Sequence, residues 1–195
     1  MKRALLASLL CVGALNADVR QDIADSLWAA AYSSNIDVRV LYTIAKTESN
    51  FQPYIISFLT SDTDLIKRLK TGFKGSVYHF RSAKYNSSKY AVSISSNSKE
   101  AMLELAKFFW DFDFNIDFGL MQISKQNLKK DELEFIFEPQ YNVAKSKEIL
   151  SLCAGRYSSA KDAIECYNKG FAAKKNYDYY ARFMNYFDSF FGEGK

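Results

Sequence analysis

The run Val38-Arg39-Val40-Leu41-Tyr42-Thr43-Ile44-Ala45-Lys46-Thr47-Glu48-Ser49-Asn50-Phe51 sets an acid at the end of a strongly apolar segment. Val40, Leu41, Ile44 and Ala45 recur at the spacing of one buried helical face. Asp37 is suited to cap the start of this helix, and Asn50 with Pro53 argues for its end, because proline disfavours helical backbone in the residue before it. Glu48 is thereby expected at a rim, half in and half out of water. Apolar neighbours there would disfavour its charged form and suit it to general acid work, although an acid in a last helical turn is by itself usually a solvated surface residue.

Working outward, residues 1–17 carry the pattern of a secretory signal: Lys2-Arg3, an apolar run from Ala4 to Leu15, and a cleavage position at Ala17, with Ala14 as the alternative. The run is too short for a stable membrane anchor. Bulky Leu10 before Cys11 argues against lipoprotein processing. Residues 18–195 are expected to form one domain, with 48% hydrophobic residues in the whole chain. The formal charge of +4 falls to +2 once Lys2 and Arg3 are removed. No basic run points to nucleic acid, and Lys67-Arg68-Leu69-Lys70 reads as the solvated face of a short helix.

Export would leave Cys153 and Cys166 in an oxidising compartment, where they are expected to pair, the alternative being two buried thiols. The single histidine, His79, lacks cysteine or carboxylate company at ligand spacing. No metal or other cofactor is therefore expected, and a zinc amidase is disfavoured. A cysteine peptidase is disfavoured too, since neither cysteine has a nucleophile context.

Further helices are expected over 19–33 (inward Ile23, Leu27, Ala30 and Ala31), after an Asn97/Glu100 capping box (Met102, Leu105, Ala106, Phe109), from Pro139, from Ser159 with Asp162, and over 177–191 (Tyr180, Phe183, Met184, Phe187, Phe190). Residues 57–98 have a weak pattern and read as an insertion or mobile surface region holding one short strand at 90–95. Asp111-Phe112-Asp113-Phe114-Asn115-Ile116-Asp117-Phe118 alternates polar and apolar like a half-buried strand and runs into Gly119-Leu120-Met121-Gln122-Ile123. Gly170, after Cys166-Tyr167-Asn168-Lys169, is a natural helix stop.

Glu48-Ser49, Gly119-Leu120-Met121-Gln122-Ile123 and Tyr167-Asn168 before Gly170 stand in the order found in lytic transglycosylases of the lysozyme superfamily. The chain resembles most the small specialised lytic transglycosylases of type IV secretion systems, in which an acid two residues before the glycine (here Asp117) and a cysteine before Tyr-Asn (here Cys166) are familiar. The resemblance implies a mainly α (α+β) lysozyme-like fold with a small β element, near 90–118, beside the substrate cleft. It implies a periplasmic enzyme that cuts peptidoglycan glycan strands between N-acetylmuramic acid and N-acetylglucosamine and leaves 1,6-anhydro ends, with secretion-system components as partners.

Glu48 would be acid and then base. Ser49 would steady it or the sugar, Met121 and Gln122 would line the cleft, and Tyr167 with Asn168 would fix the glutamate and bind the N-acetyl side. Each has a plainer role: core filling for Met121, helix-end positions for Ser49 and Asn168, aromatic packing for Tyr167. Lys169 reads as a solvated lysine or as a cation facing substrate carboxylates. The rival functions are a lysozyme-type hydrolase that adds a second carboxylate, with Asp111, Asp113 and Asp117 as candidates, and a non-catalytic wall-binding assembly subunit.

Overall fold

The computed structural model describes residues 17–171 and 178–192, which fall into two compact units, Met1–Phe51 with Val143–Lys195, and Gln52–Asn142. The expected signal segment lies outside the described residues up to Asn16, and so does Tyr177, the expected start of the last helix. Ala17 opens the first described helix.

The first unit is helical. It holds α1 (Ala17–Tyr32), α2 (Val38–Ser49), α5 (Pro139–Arg156) from Val143 onward, α6 (Ala160–Lys169) and α7 (Tyr179–Phe191). Helix α1 buries Ile23, Ala24, Ser26, Leu27 and Ala30, whereas Ala31 is half-buried. Asp37 caps α2 by accepting from the Arg39 N–H, and the helix is buried at every position from Leu41 to Ala45. That is a wider face than the expected stripe, because α1 and α7 both pack against it. Tyr42 is the hinge of this packing, with ring centroids 4.7 Å from Phe51, 5.4 Å from Phe190 and 5.5 Å from Phe191.

Helix α7 buries Tyr179 and Phe183, a one-turn pair. The expected inward residues Tyr180, Met184 and Phe187 are only half-buried and Phe190 is exposed, so the buried stripe is narrower than the run of aromatics. Cys153 of α5 and Cys166 of α6 form a disulfide with Cα atoms 5.8 Å apart, packed with Ala163 and Tyr157.

The second unit is built on a five-stranded antiparallel sheet ordered β2-β3-β1-β4-β5, from β1 (Ile55–Thr60), β2 (Tyr78–Lys84), β3 (Tyr90–Ser96), β4 (Ile116–Phe118) and β5 (Ile123–Ser124). Residues 57–98 are thus the larger part of the sheet together with α3 (Thr63–Gly72), which corrects their reading as an insertion with a single strand. Their pattern is weak because β2 is exposed along most of its length and α3 buries no residue, so neither needs an apolar stripe. Helix α4 (Lys99–Trp110) buries Met102, Leu105, Ala106 and Phe109 and packs on β1 and β3. Its cap is Ser98, one residue after the expected Asn97. The Ser98 hydroxyl accepts from the Ala101 N–H and donates to Glu100.

Only Ile116–Phe118 of the alternating stretch 111–118 is strand. Burial nevertheless alternates through all eight residues, because Phe112 and Phe114 insert into a cluster with Phe109 and Phe58 while Asp111 and Asp113 are exposed and Asp117 is half-buried. The mainly helical fold with a small antiparallel sheet is that of a lysozyme-like domain. No helix among the described residues is long and apolar enough to cross a membrane.

Candidate active site

Helix α2 stops by an unusual device. Asn50 (φ 54°) and Phe51 (φ 64°) are consecutive left-handed residues, and their N–H groups donate to Lys46 O (3.1 Å) and Ala45 O (3.3 Å). A left-handed phenylalanine costs about 1–2 kcal/mol, offset here by burial of its ring against Tyr42. This pair, rather than Pro53, ends the helix directly after Glu48-Ser49 and holds Glu48, half-buried, in the last turn.

Two donors converge on that carboxyl. Asn168 Nδ2 donates to Glu48 Oε1 at 3.2 Å and the Tyr179 hydroxyl donates to the same oxygen at 2.5 Å. Asn168 is placed by the end of α6, which Ser159 caps at its start by accepting from the Asp162 N–H and which ends at Gly170. Gly170 has φ 66° and ψ −160°, a positive-φ region outside the left-handed helical one that was expected, and essentially glycine-only. The disulfide at Cys166 ties the turn that carries Tyr167-Asn168 to α5.

Tyr179 was missed by the sequence reading, which chose its neighbour Tyr180. Burial first, and then the Glu48 charge, raises its hydroxyl well above the ordinary tyrosine range. The phenol therefore stays protonated, and a donor, at any physiological pH. Tyr167 is half-buried and close enough to Tyr179 to contribute to that shift.

The Ser49 hydroxyl is buried and donates to Ala45 O at 3.2 Å, within its own helix. Lys169 is not the solvated lysine of one expectation: it pairs with Glu165 at 3.3 Å, the side chains 13% and 8% exposed. The spacing of four residues along α6 was the available signal for this pair.

Met121 and Gln122 belong to the second unit, in the turn between β4 and β5. Met121 is fully buried and its N–H donates to Asn142 Oδ1 at 2.7 Å, a bond that shapes the turn. Gln122 is half-buried at φ 49°, and its Nε2 donates to Gly119 O at 2.8 Å. Asn142, also missed, is the staple of this turn, since its Nδ2 donates to both Phe118 O (3.1 Å) and Ile136 O (2.9 Å). Gly119, at φ +75°, leaves room for it: a Cβ there would lie 2.4 Å from Asn142 Nδ2.

Asp117 is half-buried on β4, with Asn115 as a hydrogen-bond donor at 3.4 Å. Burial pushes its carboxyl up to about 6, against the opposing hydrogen bonds of Ser124 and Asn115. Among the described residues no group of histidine, cysteine and acidic side chains is arranged to hold a metal.

The family model for the transglycosylase SLT domain matches residues 26–188, a span that includes Glu48, the Gly119–Ile123 turn and the Tyr167-Asn168 pair. The chain belongs to this family. It is a lytic transglycosylase, a lyase whose substrate is peptidoglycan. Neither the curated proteins nor the solved structures include a match to it. In this SLT domain, the elements that bring Glu48, Asn168 and Tyr179 together are α2, α6 and α7, all of the first unit.

Proposed function

We propose that Glu48 is the acid and base of this lytic transglycosylase, and that it cuts the β-1,4 bond from N-acetylmuramic acid to N-acetylglucosamine. The carboxyl donates its proton to the departing glycosidic oxygen as the bond to the anomeric carbon breaks. The substrate's N-acetyl oxygen covers that carbon in place of a second carboxylate. The carboxylate then takes the proton of the muramic 6-hydroxyl as O6 bonds to the anomeric carbon. A 1,6-anhydro ring forms, no water is consumed, and Glu48 ends protonated as it began.

The observation that carries this reading is the pair of donors on one oxygen of Glu48. They hold the carboxyl in a single orientation between its two proton transfers, as Tyr179 and Asn168 do here. Tyr167 is given the N-acetyl side of the substrate, Gln122 a contact from its strained turn, and Ser49 the support of the last turn of α2. Incubating purified sacculi with wild type and Glu48→Gln tests the assignment: wild type is expected to release muropeptides, and equal release by the variant would refute it.

A second reading has one observation in its favour. Asp117 has the raised, burial-driven titration of a functional carboxyl, which suits a hydrolase using two acids. The nature of the glycan ends separates the two readings.

We further infer export through residues 1–17 to the periplasm and local opening of the wall for a secretion or conjugation apparatus. The support is the motif likeness at Asp117 and Cys166, the latter joined to Cys153. Cells carrying Glu48→Gln should then lose assembly of that apparatus while growth is unchanged.

A further inference from the structure

A recess of the second unit, with a volume of about 1230 Å³, lies on the sheet face turned away from the α4 core. Strand register builds its floor. Arg81 pairs with Ser93, Ser93 with Ser57, and Ser57 with Asp117, so four strands contribute one polar row. At the usual spacing between strands this row spans roughly 14 Å. Ala83, Ala91 and Leu59 form the neighbouring row, and Lys70, Phe73 and Lys74, from the end of α3, supply the wall.

The charges in this groove are unbalanced. Lys70, Lys74 and Arg81 line it without an ion-pair partner among the described residues, a state they share with Arg68, Lys84 and Lys89 of the same unit, so what sets the groove apart is that three such cations gather in one recess. Cations near a helix C-terminus are explained by the helix dipole, which accounts for Lys70 and Lys74. It does not account for Arg81 on a strand of the facing floor. Asp117 is the single acid in the lining, at the far end of the row from Arg81. A recess with low-dielectric walls and an excess of positive charge, here three cations against one acid, concentrates anions. Its floor of serine and alanine allows a chain with small side groups to approach the sheet closely.

From this arrangement we propose that the groove over β1, β2, β3 and β4 binds the acidic stem peptide of peptidoglycan, its free carboxylates meeting Lys70, Lys74 and Arg81. The inference rests on the peptidoglycan reading above. It adds that peptide, and not only glycan, is recognised, because the N-acetylated sugars of a peptide-bearing strand are neutral and offer three cations nothing to pair with. Fork-like pairing with a carboxylate falls to Arg81, which presents two parallel donors, and the lysines act as point charges.

The test is a titration of the chain with free stem tetrapeptide and with the same peptide amidated at its carboxyl groups, followed by two-dimensional NMR at low and high salt. Saturable binding of the charged peptide is expected, with shifts at Ser57, Arg81 and Ser93. It should weaken about tenfold on amidation, in high salt, and in the combined Lys70→Gln, Lys74→Gln, Arg81→Gln variant. Because these side chains are unpaired, the variant should keep wild-type thermal unfolding, and Arg81→Lys alone should retain part of the affinity. No saturation by wild type at millimolar peptide, equal binding of the amidated peptide, or full affinity in the variant would each overturn the proposal. Nothing is cleaved in this titration, so a failure to release muropeptides in the separate sacculus digestion would strike the catalytic reading and leave the binding result standing.

Discussion

Tyr179 donates to Glu48 Oε1 at 2.5 Å although the two are 131 positions apart in the chain. The contact makes the first turn of α7 part of the same site as the last turn of α2. Tyr179→Phe keeps the ring in its buried place and removes only the donor. Steady-state kinetics on soluble glycan strands should show kcat reduced by about 10- to 100-fold, in the range for loss of one positioned hydrogen bond, with KM little changed. An equal rise in KM with kcat intact would mean that Tyr179 serves binding instead.

Asp117 carries a cost that its removal should reveal. Its carboxyl titrates at about 6 in the folded chain against an ordinary 3.8. A raised folded value means that the folded state holds the proton more tightly, so its stabilising contribution is complete below about pH 4 and is lost as pH rises through 6. Asp117→Asn should therefore unfold at higher denaturant than wild type at pH 7, by on the order of 2 kcal/mol, and the two should converge towards pH 4. Urea titrations at both pH values check this, and a variant less stable at pH 7 would contradict it.

The turn before Gln122 should tolerate no side chain at Gly119. Its φ of +75° disfavours any other residue, and a Cβ would meet Asn142 Nδ2 at 2.4 Å and Ile136 O at 3.0 Å. Gly119→Ala is expected to cost about 2 kcal/mol or more in chemical denaturation. Asn142→Leu should cost a similar amount, since it removes the acceptor of the Met121 N–H and the donor to two carbonyls. Because both variants break the same contact, the double variant should lose less than the sum.

Cys153 and Cys166 should resist alkylation until reduced, and both should react afterwards. Their separation of 13 residues closes a short loop, so Cys153→Ser with Cys166→Ser is expected to lower stability by about 3 kcal/mol on the chain-entropy model. Labelling of both in the oxidised native chain would contradict the pairing.

Much of the helical unit was legible because its signals are local. Asp37 and Ser159 cap the helices they were read to cap, and Leu41, Ile44 and Ala45 are buried as their spacing implies. Glu48 could be singled out since helix end and motif coincide. What was hidden depends on distant parts of the chain. Tyr179 and Tyr180 are equivalent by periodicity, and only packing against α2 and α6 decides that Tyr179 turns inward to Glu48. Asn142 looks like an ordinary residue in the first turn of a helix until the Gly119 turn closes on it. The strands of residues 57–98 are polar on the groove face and exposed at the edge, so alternation could not announce them.

The chemical form of the first product distinguishes one catalytic carboxyl from two most directly. Fresh sacculi or soluble strands digested briefly, then analysed by mass spectrometry without borohydride reduction, should yield muropeptides one water lighter than the hydrolytic product, carrying 1,6-anhydromuramic ends. Glu48→Gln should form none, while Asp117→Asn should still form them. Reducing muramic ends as the main initial product, together with loss of activity by orders of magnitude in Asp117→Asn, would show two cooperating carboxylates and contradict the assignment of both proton transfers to Glu48 alone.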